Sequence, residues 1–253
     1  MSKLVLAVDG DTIAYRTAAV CNDAWAGACD DIIATTLKKI STATGIHDMR
    51  IYLSGRDNYR YTVAKTKPYK GNRVGMIHPT FLDHCKEHLV EKYGAIRMDG
   101  YEADDGIATD MVLTGAVHCG VDKDILQIPG RHYMYVKEEW VTVTPEEAIL
   151  NLYRQILMGD TIDNIPGVPG CGAKTAEKII QDADSAFSDA IEYYKERCPA
   201  KGITENPLVY FEEQRQLISM VTSCDIGQIE FDMSVYIEPE TDGFKPVDGE
   251  AFV

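Results

Sequence analysis

Acidic residues recur in this sequence where apolar runs end and where helical patterns begin. In chain order they are Asp9, Glu102, Asp104, Asp105, Asp122, Asp124, Asp160 and Asp163. Carboxylate oxygens are the hard donors that Mg²⁺ and Mn²⁺ prefer. Two such ions, roughly 4 Å apart, ionise an attacking water and stabilise the leaving oxygen when a phosphodiester is displaced. The pattern therefore predicts metal-dependent phosphodiester hydrolysis that needs no serine or cysteine nucleophile.

The elements that must bring these acids together are short apolar strands. Residues 3–8 (KLVLAV) precede Asp9, and residues 115–121 (GAVHCGV) precede Asp122. Such runs are typical of buried parallel strands, as are residues 51–53. Helical patterns occur at 12–40, 79–93, 107–113, 148–158, 173–180, 185–197 and 209–224, and a β-hairpin is expected from 132–136 and 141–143. This alternation predicts an α/β fold with a mostly parallel central sheet flanked by helices, whose carboxyl edge collects the acids.

The group Glu102, Asp104 and Asp105 has two interpretations. Acids in the first turn of a helix are favoured by its dipole, so ordinary capping is the structural one. Glu102 and Asp105 also share a helix face, which suits a common metal cluster. Capping needs one or two acids, whereas three within four residues repel one another unless a cation sits among them. We therefore favour the metal site.

The segment LMGDTIDNIPGVPGCGAKTAEKII, residues 157–180, joins an acid pair to a turn. Asp160 and Asp163 face one side if they lie on a helix end. The hairpin that follows opens into a helical pattern, whose first N–H groups suit an anion such as phosphate, and Lys174 adds a positive charge. Glycines that permit positive φ and close approach of a ligand are Gly167, Gly170 and Gly172. The alternative is a tight helix–helix connection with a charged rim.

Residues 58–76 (NYRYTVAKTKPYKGNRVGM) contain no acid, although the chain carries a net charge of −15. Their cations and tyrosines are Arg60, Lys65, Lys67, Lys70 and Arg73, with Tyr59, Tyr61 and Tyr69. Cations bind the backbone of a nucleic-acid single strand, and aromatic rings stack on its bases. A solvated basic loop is the alternative. The local reversal of charge favours nucleic acid, and bound metal ions would offset the acid excess.

The composition of the chain excludes several classes of protein. It has 253 residues, 45% of them hydrophobic, enough for one large domain or two coupled small ones. Its seven cysteines form no CxxC pair, which argues against zinc and for reduced thiols. No apolar run approaches the roughly 20 residues of a membrane helix. We expect a cytoplasmic protein with no membrane partner.

Four segments resemble, in order, the motifs of the 5′-nuclease superfamily, which includes flap endonucleases, the 5′-nuclease domain of bacterial DNA polymerase I and free-standing bacteriophage 5′-exonucleases. They are VDGDTIAYR, YEADD, DKDILQI and GDTIDNIPGVPGCGAKTA, spanning about 70% of the chain. The resemblance implies a PIN/5′-nuclease-like α/β domain over residues 1–150, with an arch or clamp at about 58–78. A helical helix-three-turn-helix region and tail would then occupy 151–253. Because no polymerase region follows, the bacteriophage type is expected, acting in the cytoplasm of a bacterial host.

The same resemblance implies roles for individual residues. The eight acids would ligate two Mg²⁺ ions, which Mn²⁺ can replace, directly or through water. Lys70 would contact the scissile phosphate and Arg73 would help to bind it. The residues expected to bind DNA are Arg16, Arg60, Tyr69, Gly167, Gly170, Gly172 and Lys174. K⁺ held by the carbonyls of the hairpin at 167–172 is a further expectation.

One position departs from the family pattern. The family has an Asp at the end of the second strand, where this chain has Ser54. Asp57 replaces that ligand if the loop curls back, or it forms a salt bridge with Arg56 or Arg60; both alternatives stay open. Asp11 is expected either near the metal ligands or as a helix cap.

The implied activity is a 5′→3′ exonuclease with structure-specific flap endonuclease activity in replication. Its partners would be DNA with 5′ ends, flaps, nicks or gaps, and RNA in RNA/DNA duplexes, bound by a monomer. A PIN-like ribonuclease is the first alternative, but such enzymes typically lack the hairpin and the preceding acid pair. A catalytically inactive DNA-binding or scaffold protein is the second, and the retention of eight candidate ligands argues against it.

Overall fold

The fold is described from a computed structural model, over residues 4–21, 25–203 and 206–226. A six-stranded sheet lies at its centre, in the order β3-β2-β1-β4-β5-β6. Its strands are β1 (Val5–Asp9), β2 (Asp48–Ser54), β3 (Ile96–Met98), β4 (Val117–Gly120), β5 (Gly130–Met134) and β6 (Glu139–Val143). All neighbours pair in parallel except β5 and β6, which form the expected hairpin. The prediction of a mostly parallel sheet is confirmed.

Helices flank this sheet and continue the chain beyond it. They are α1 (Gly10–Val20), α2 (Ala26–Thr44), α3 (Arg60–Val63), α4 (Leu82–Tyr93), α5 (Ala103–Thr114), α6 (Pro145–Met158), α7 (Ala173–Ile179), α8 (Ala186–Ala200) and α9 (Pro207–Ile218). Two short 3₁₀ helices cover Gly71–Arg73 and Asp124–Gln127. Within the described ranges no helix combines the length and apolar character that a membrane span requires.

The central strand β1 is apolar without alternation because both of its faces are buried. Leu6 and Val8 join a core with side chains of α1, α2 and α4, whereas Ala7 joins a second core with α5. Burial of one such leucine or valine contributes about 1.5–3 kcal/mol, so this strand is held firmly in register. Asp9 ends it and thereby stands at the carboxyl edge of the sheet.

A third core joins α6, α7, α8 and α9. Tyr194 is fully buried in it, and its hydroxyl donates to the carbonyl of Ile156 at 2.6 Å. The helix α6 begins with a reciprocal cap: Thr144 accepts from the N–H of Glu147, and Glu147 accepts from the N–H of Thr144. The predicted domain boundary at residue 150 falls inside α6 and stays a prediction.

Two helix predictions were wrong in extent. The pattern at 12–40 is not one helix: α1 ends at Val20, the N–H of the following Cys21 donates to the carbonyl of Thr17, and α2 begins only after the extended residue Trp25. The pattern at 209–224 is helical only to Ile218. Beyond it, the N–H groups of residues 220 and 221 donate to side chains of other elements, so tertiary bonds replace those of a helix. The tail beyond residue 226 lies outside the described residues.

Candidate active site at the carboxyl edge of the sheet

Asp9 links the central strand to the first helix. It ends β1 and caps α1, accepting from the N–H of Thr12 at 3.1 Å and from its hydroxyl. Only 5% of the residue is exposed. Burial, and then the charges of Asp11 and Asp122, raise the pKa of the Asp9 carboxyl to about 6, although the bonds from Thr12 oppose that rise. Asp9 is therefore a buried acid whose negative charge is disfavoured by its neighbours.

Asp104, in the first turn of α5, belongs to the same group. Removal from bulk water, and then the charges of Asp9 and Asp122, raise the pKa of its carboxyl well above the usual range. Asp9 is the last residue of β1, and Asp122 follows two residues after the end of β4. Acids from three separate chain segments therefore lie close enough to act on one another.

A second group surrounds Asp124. Burial, and then the charges of Asp122, Asp160 and Asp163, raise the pKa of the Asp124 carboxyl to about 7. The pKa of Asp160 is raised by burial, with Asp163 and Asp122 adding to the effect and backbone bonds opposing it. Asp122 acts on both groups, and its Oδ1 accepts from the N–H of Asp124 at 2.9 Å. The two groups thus form one acidic edge with Asp122 between them.

The pair Asp160 and Asp163 lies in a loop, not on a helix end as expected. The helix α6 ends at Met158, and residue 160 exchanges backbone hydrogen bonds of 2.9 and 2.7 Å with Ile165. Asp160 Oδ1 also accepts from the N–H of Ile162 at 2.7 Å. These bonds close a tight loop that presents both carboxyls to the acidic edge.

The basic segment folds directly over this edge. Lys70 forms an ion pair with Glu102, and its Nζ lies 3.6 Å from Asp163. Arg73 contacts Asp163 at 2.5 Å. The hydroxyl of Tyr69 lies 3.0 Å from Glu102 and 2.8 Å from Asp163. The residues expected to bind phosphate therefore lie beside the residues expected to bind metal, and Tyr69, 4% exposed, presents no ring face for stacking.

The backbone at this contact is unusual. Lys70 and Asn164 have φ values of 53° and 62°, a left-handed conformation that costs a non-glycine residue about 1–3 kcal/mol. The N–H of Lys70 donates to the carbonyl of Asp163 at 2.8 Å, and Asn164 donates to the carbonyl of Pro68 at 2.8 Å. Each left-handed residue is thus held by the opposite segment. Asn164 was not singled out from the sequence, because its partner is 96 residues away.

Two residues with predicted functional roles are paired with each other inside the protein. Arg60 donates to both oxygens of Asp105, at 2.6 and 2.8 Å, and the pair is buried. Asp105 also accepts from the N–H of Glu102, completing a capping box, and from the N–H of Val221. In this arrangement both carboxylate oxygens of Asp105 accept from Arg60, and neither side chain is exposed to solvent. Glu102 and Asp105 thus form a capping box at the start of α5, and their role as metal ligands stays a prediction.

Ser54, which stands at the end of the second strand where the family pattern has an acid, is hydrogen-bonded inside the protein. The hydroxyl of Ser54 accepts from the N–H of Ala103, and its own N–H donates to Asp11 at 2.8 Å. Lys86 contacts Asp11 at 2.6 Å, so Asp11 bridges elements and does not cap a helix. Asp57 is exposed and has a left-handed φ of 56°. Its charge is not among the causes that raise the pKa values of Asp9, Asp104, Asp124 and Asp160. Arg60, its suggested partner, is taken by Asp105.

The three hairpin glycines have different environments. Gly167 (φ 56°) is buried against Gly159, its N–H donates to Gln214 and its carbonyl accepts from Tyr210. Its backbone is therefore used inside the protein and is closed to a ligand. Gly170 is exposed with φ of 83°, whereas Gly172 is exposed with φ of −98° and needs no positive φ.

Exposed cations stand at two further places. Lys174 is exposed at the start of α7. A Cβ placed on Gly170 would lie 3.9 Å from the ammonium of Lys201, a neighbour that local sequence could not reveal. Arg16 is exposed on α1 in a groove of about 640 Å³ between α1, α2 and the β5–β6 hairpin. Tyr135 lines that groove, and the charges of both Asp9 and Arg16 act on its hydroxyl. Because Asp9 belongs to the acidic edge, the groove begins beside that edge.

The carboxylates of the acidic edge are the oxygen ligands that a hard metal ion prefers, but their side chains are not arranged around a common metal position. Over the described residues, no three His, Cys, Asp or Glu side chains are placed so as to hold a metal ion. Glu102 and Asp163 are instead turned to Lys70 and Arg73. Burial, and then the repulsion of neighbouring acids, raise the pKa values of four carboxyls, and a divalent cation bound to such an all-oxygen donor set would relieve that repulsion.

Several curated proteins are similar in sequence to this chain, although no protein-family profile matches it. DNA polymerase I of Bacillus subtilis (strain 168) is 30% identical over 217 residues, 72% of this chain and 24% of that protein. The 5′-3′ exonuclease of the same strain is 35% identical over 171 residues, 58% of this chain and 55% of that protein. DNA polymerase I of Treponema pallidum (strain Nichols) is 39% identical over 106 residues, 34% of this chain and 10% of that protein. The chain thus spans about a quarter or less of the polymerases and about half of the exonuclease.

Solved structures share the fold. The D15 protein of bacteriophage T5, crystallised with metal ions, matches with a TM-score of 0.65 at 16% identity, over 85% of this chain and 88% of that chain. The T5 5′-exonuclease with bound zinc matches with a TM-score of 0.57 at 16% identity, over 85% and 99%. The fold expected from the motifs is therefore confirmed. By its similarity to these polymerases and this exonuclease, and by its fold, the chain belongs to the 5′-nuclease superfamily.

Proposed function

We propose that this protein is a divalent-metal-dependent 5′→3′ exonuclease and 5′-flap endonuclease that hydrolyses phosphodiester bonds of DNA in replication. One observation carries the proposal: acids from four chain segments form a single edge, and the basic segment 58–76 folds onto that edge. Cleavage of a phosphodiester needs hard cations at the phosphate and a positive surface for the nucleic-acid backbone. The acidic edge would supply the cations, and the basic segment 58–76 would supply the positive surface.

The proposed metal ligands are the acids at this edge. They are Asp9, Glu102, Asp104, Asp122, Asp124, Asp160 and Asp163. Bound Mg²⁺ ions, two in number and replaceable by Mn²⁺, would supply an ionised water and charge stabilisation for the leaving oxygen. Asp105 we now assign to positioning, because Arg60 holds it, and Asp57 we leave out of the site.

The chain's own residues would bind and orient the substrate. Lys70 and Arg73 lie beside the acidic edge, where their positive charges would bind a substrate phosphate. Lys174 and Gly170, exposed at the hairpin, would contact the duplex backbone, with K⁺ at the hairpin carbonyls. Arg16 would bind DNA along the groove beside α1.

The substrates we propose are DNA 5′ ends, flaps and nicked or gapped duplexes, with RNA in RNA/DNA duplexes as a further substrate. The name of the B. subtilis relative, 5′-3′ exonuclease, supports the polarity. We place the activity in the cytoplasm, that of a bacterial host for a bacteriophage protein, and expect a monomer to carry it.

Cleavage of a labelled 5′-flap DNA, compared with single-stranded RNA, tests this proposal. We expect cleavage of the flap near its junction with Mg²⁺ and none with EDTA. Preferential cleavage of the RNA would instead indicate a PIN-like ribonuclease. Binding of the flap without cleavage at any Mg²⁺ or Mn²⁺ concentration would indicate an inactive DNA-binding protein.

A further inference from the structure

Lys70 binds the carboxylates that the proposed function assigns to metal. Its Nζ is paired with Glu102 and lies 3.6 Å from Asp163. Only 20% of the Lys70 side chain is exposed. Lys70 is therefore a partly buried cation that lies against two carboxylates of the acidic edge.

An ammonium and a divalent ion are both attracted to these carboxylates. Two cations in one partly buried site repel each other more strongly than in water. A doubly charged ion relieves the repulsion among the acids better than a single ammonium does. The two cations therefore compete.

The backbone around Lys70 allows its side chain to leave alone. The N–H of Lys70 is bonded to the carbonyl of Asp163, and Asn164 holds the carbonyl of Pro68. These bonds fix the main chain on the loop at 160–165 whichever way the side chain points. The flexible four-carbon stem of a lysine can then turn without movement of the segment.

We propose that Lys70 is an internal counter-ion that exchanges with a divalent metal at Glu102 and Asp163, so that metal binding frees the ammonium for the substrate phosphate. This inference rests on the proposed function. The free protein keeps its acids partly neutralised by Lys70, and the cation that binds phosphate becomes available only when the site is loaded. Loss of Lys70 therefore has opposite effects: it weakens phosphate binding and strengthens metal binding.

Calorimetric titration with Mn²⁺, without nucleic acid, tests the exchange. Lys70→Met should bind Mn²⁺ about fivefold or more tightly than the wild type, because a competing charge is gone. Lys70→Arg keeps the charge and should stay near the wild type. Lys67→Met removes an equal charge from an exposed position of the same segment and should leave the affinity unchanged. Equal or weaker binding by Lys70→Met would overturn the exchange.

A labelling measurement on the wild type serves if Lys70→Met does not fold. An amine-reactive ester should modify Lys70 several-fold faster at saturating Mg²⁺ than in EDTA, whereas the exposed Lys67 should react equally in both. Unchanged labelling of Lys70 would contradict the exchange. If the wild type binds no Mn²⁺ and cleaves no flap, the proposed function fails as well. If it cleaves the flap while Lys70 responds to neither test, only the exchange fails.

Discussion

The carboxyls of Asp9 and Asp124 have pKa values of about 6 and about 7, against an ordinary value of 3.8, because burial and neighbouring acids disfavour their charged forms. In the unfolded chain the same groups ionise near pH 4. Between about pH 4 and pH 7 the folded state therefore binds more protons than the unfolded state, and stability falls as pH rises. Crowded acids of this kind lower stability at neutral pH, a cost that is common where function requires charge.

Thermal unfolding in EDTA tests this account of the acids. We expect the midpoint of the wild type to fall between pH 4.5 and 7.5. Asp122→Asn removes the charge that acts on both acid groups, so its midpoint should fall less, with a gain of about 1 kcal/mol in unfolding free energy at pH 7.5. Asp83→Asn, at an exposed position on α4, should follow the wild type. An Asp122→Asn variant less stable than the wild type at pH 7.5 would refute the repulsion.

The elements around the hairpin are joined by backbone contacts that leave no space for a side chain. Gly167 has a left-handed φ of 56°, and a Cβ there would meet the backbone of Gly159 and Met158. The helix α9 reinforces the turn, since Gln214 and Tyr210 bind the N–H and the carbonyl of Gly167. Gly172 has an extended φ of −98° and open space around it. The glycines of one motif thus have unequal importance for the fold.

Replacement of these glycines by alanine gives a matched pair. Gly167→Ala should lower the unfolding free energy by about 1–3 kcal/mol, because the left-handed backbone is strained and the new Cβ would collide with the backbone of Gly159 and Met158. Gly172→Ala should stay within about 0.5 kcal/mol of the wild type. Urea unfolding measures both. Similar losses in the two variants would show that the hairpin is not built around Gly167 as described.

Much of the whole molecule follows from patterns that are local in the sequence. Apolar runs followed by Asp9 and Asp122 indicated strands whose ends meet at one edge, and the sheet places them so. Contacts distant in sequence could not be anticipated in this way. Arg60 and Asp105 are 45 residues apart, and only the folded chain shows that they neutralise each other. The early end of α9 likewise depends on Gln127 and Asp105, which bind the backbone that follows it.

The net charge of −15 is compatible with nucleic-acid binding because it is unevenly distributed. Seven of the 40 acidic residues lie together at one sheet edge, and Lys70 and Arg73 of the acid-free segment 58–76 contact that edge. Cations bound among the acids would leave the positive segment free to face a phosphate backbone. The charge of the whole chain is thus less informative than its arrangement.

The most direct measurement is a crystal of the protein soaked in Mn²⁺, with anomalous scattering used to locate the ions. We predict two peaks roughly 4 Å apart, one near Asp9 and Asp104 and one near Asp124 and Asp160, with Asp122 between them. A crystal without peaks at this edge, or with Mn²⁺ bound only elsewhere on the protein, would contradict the account.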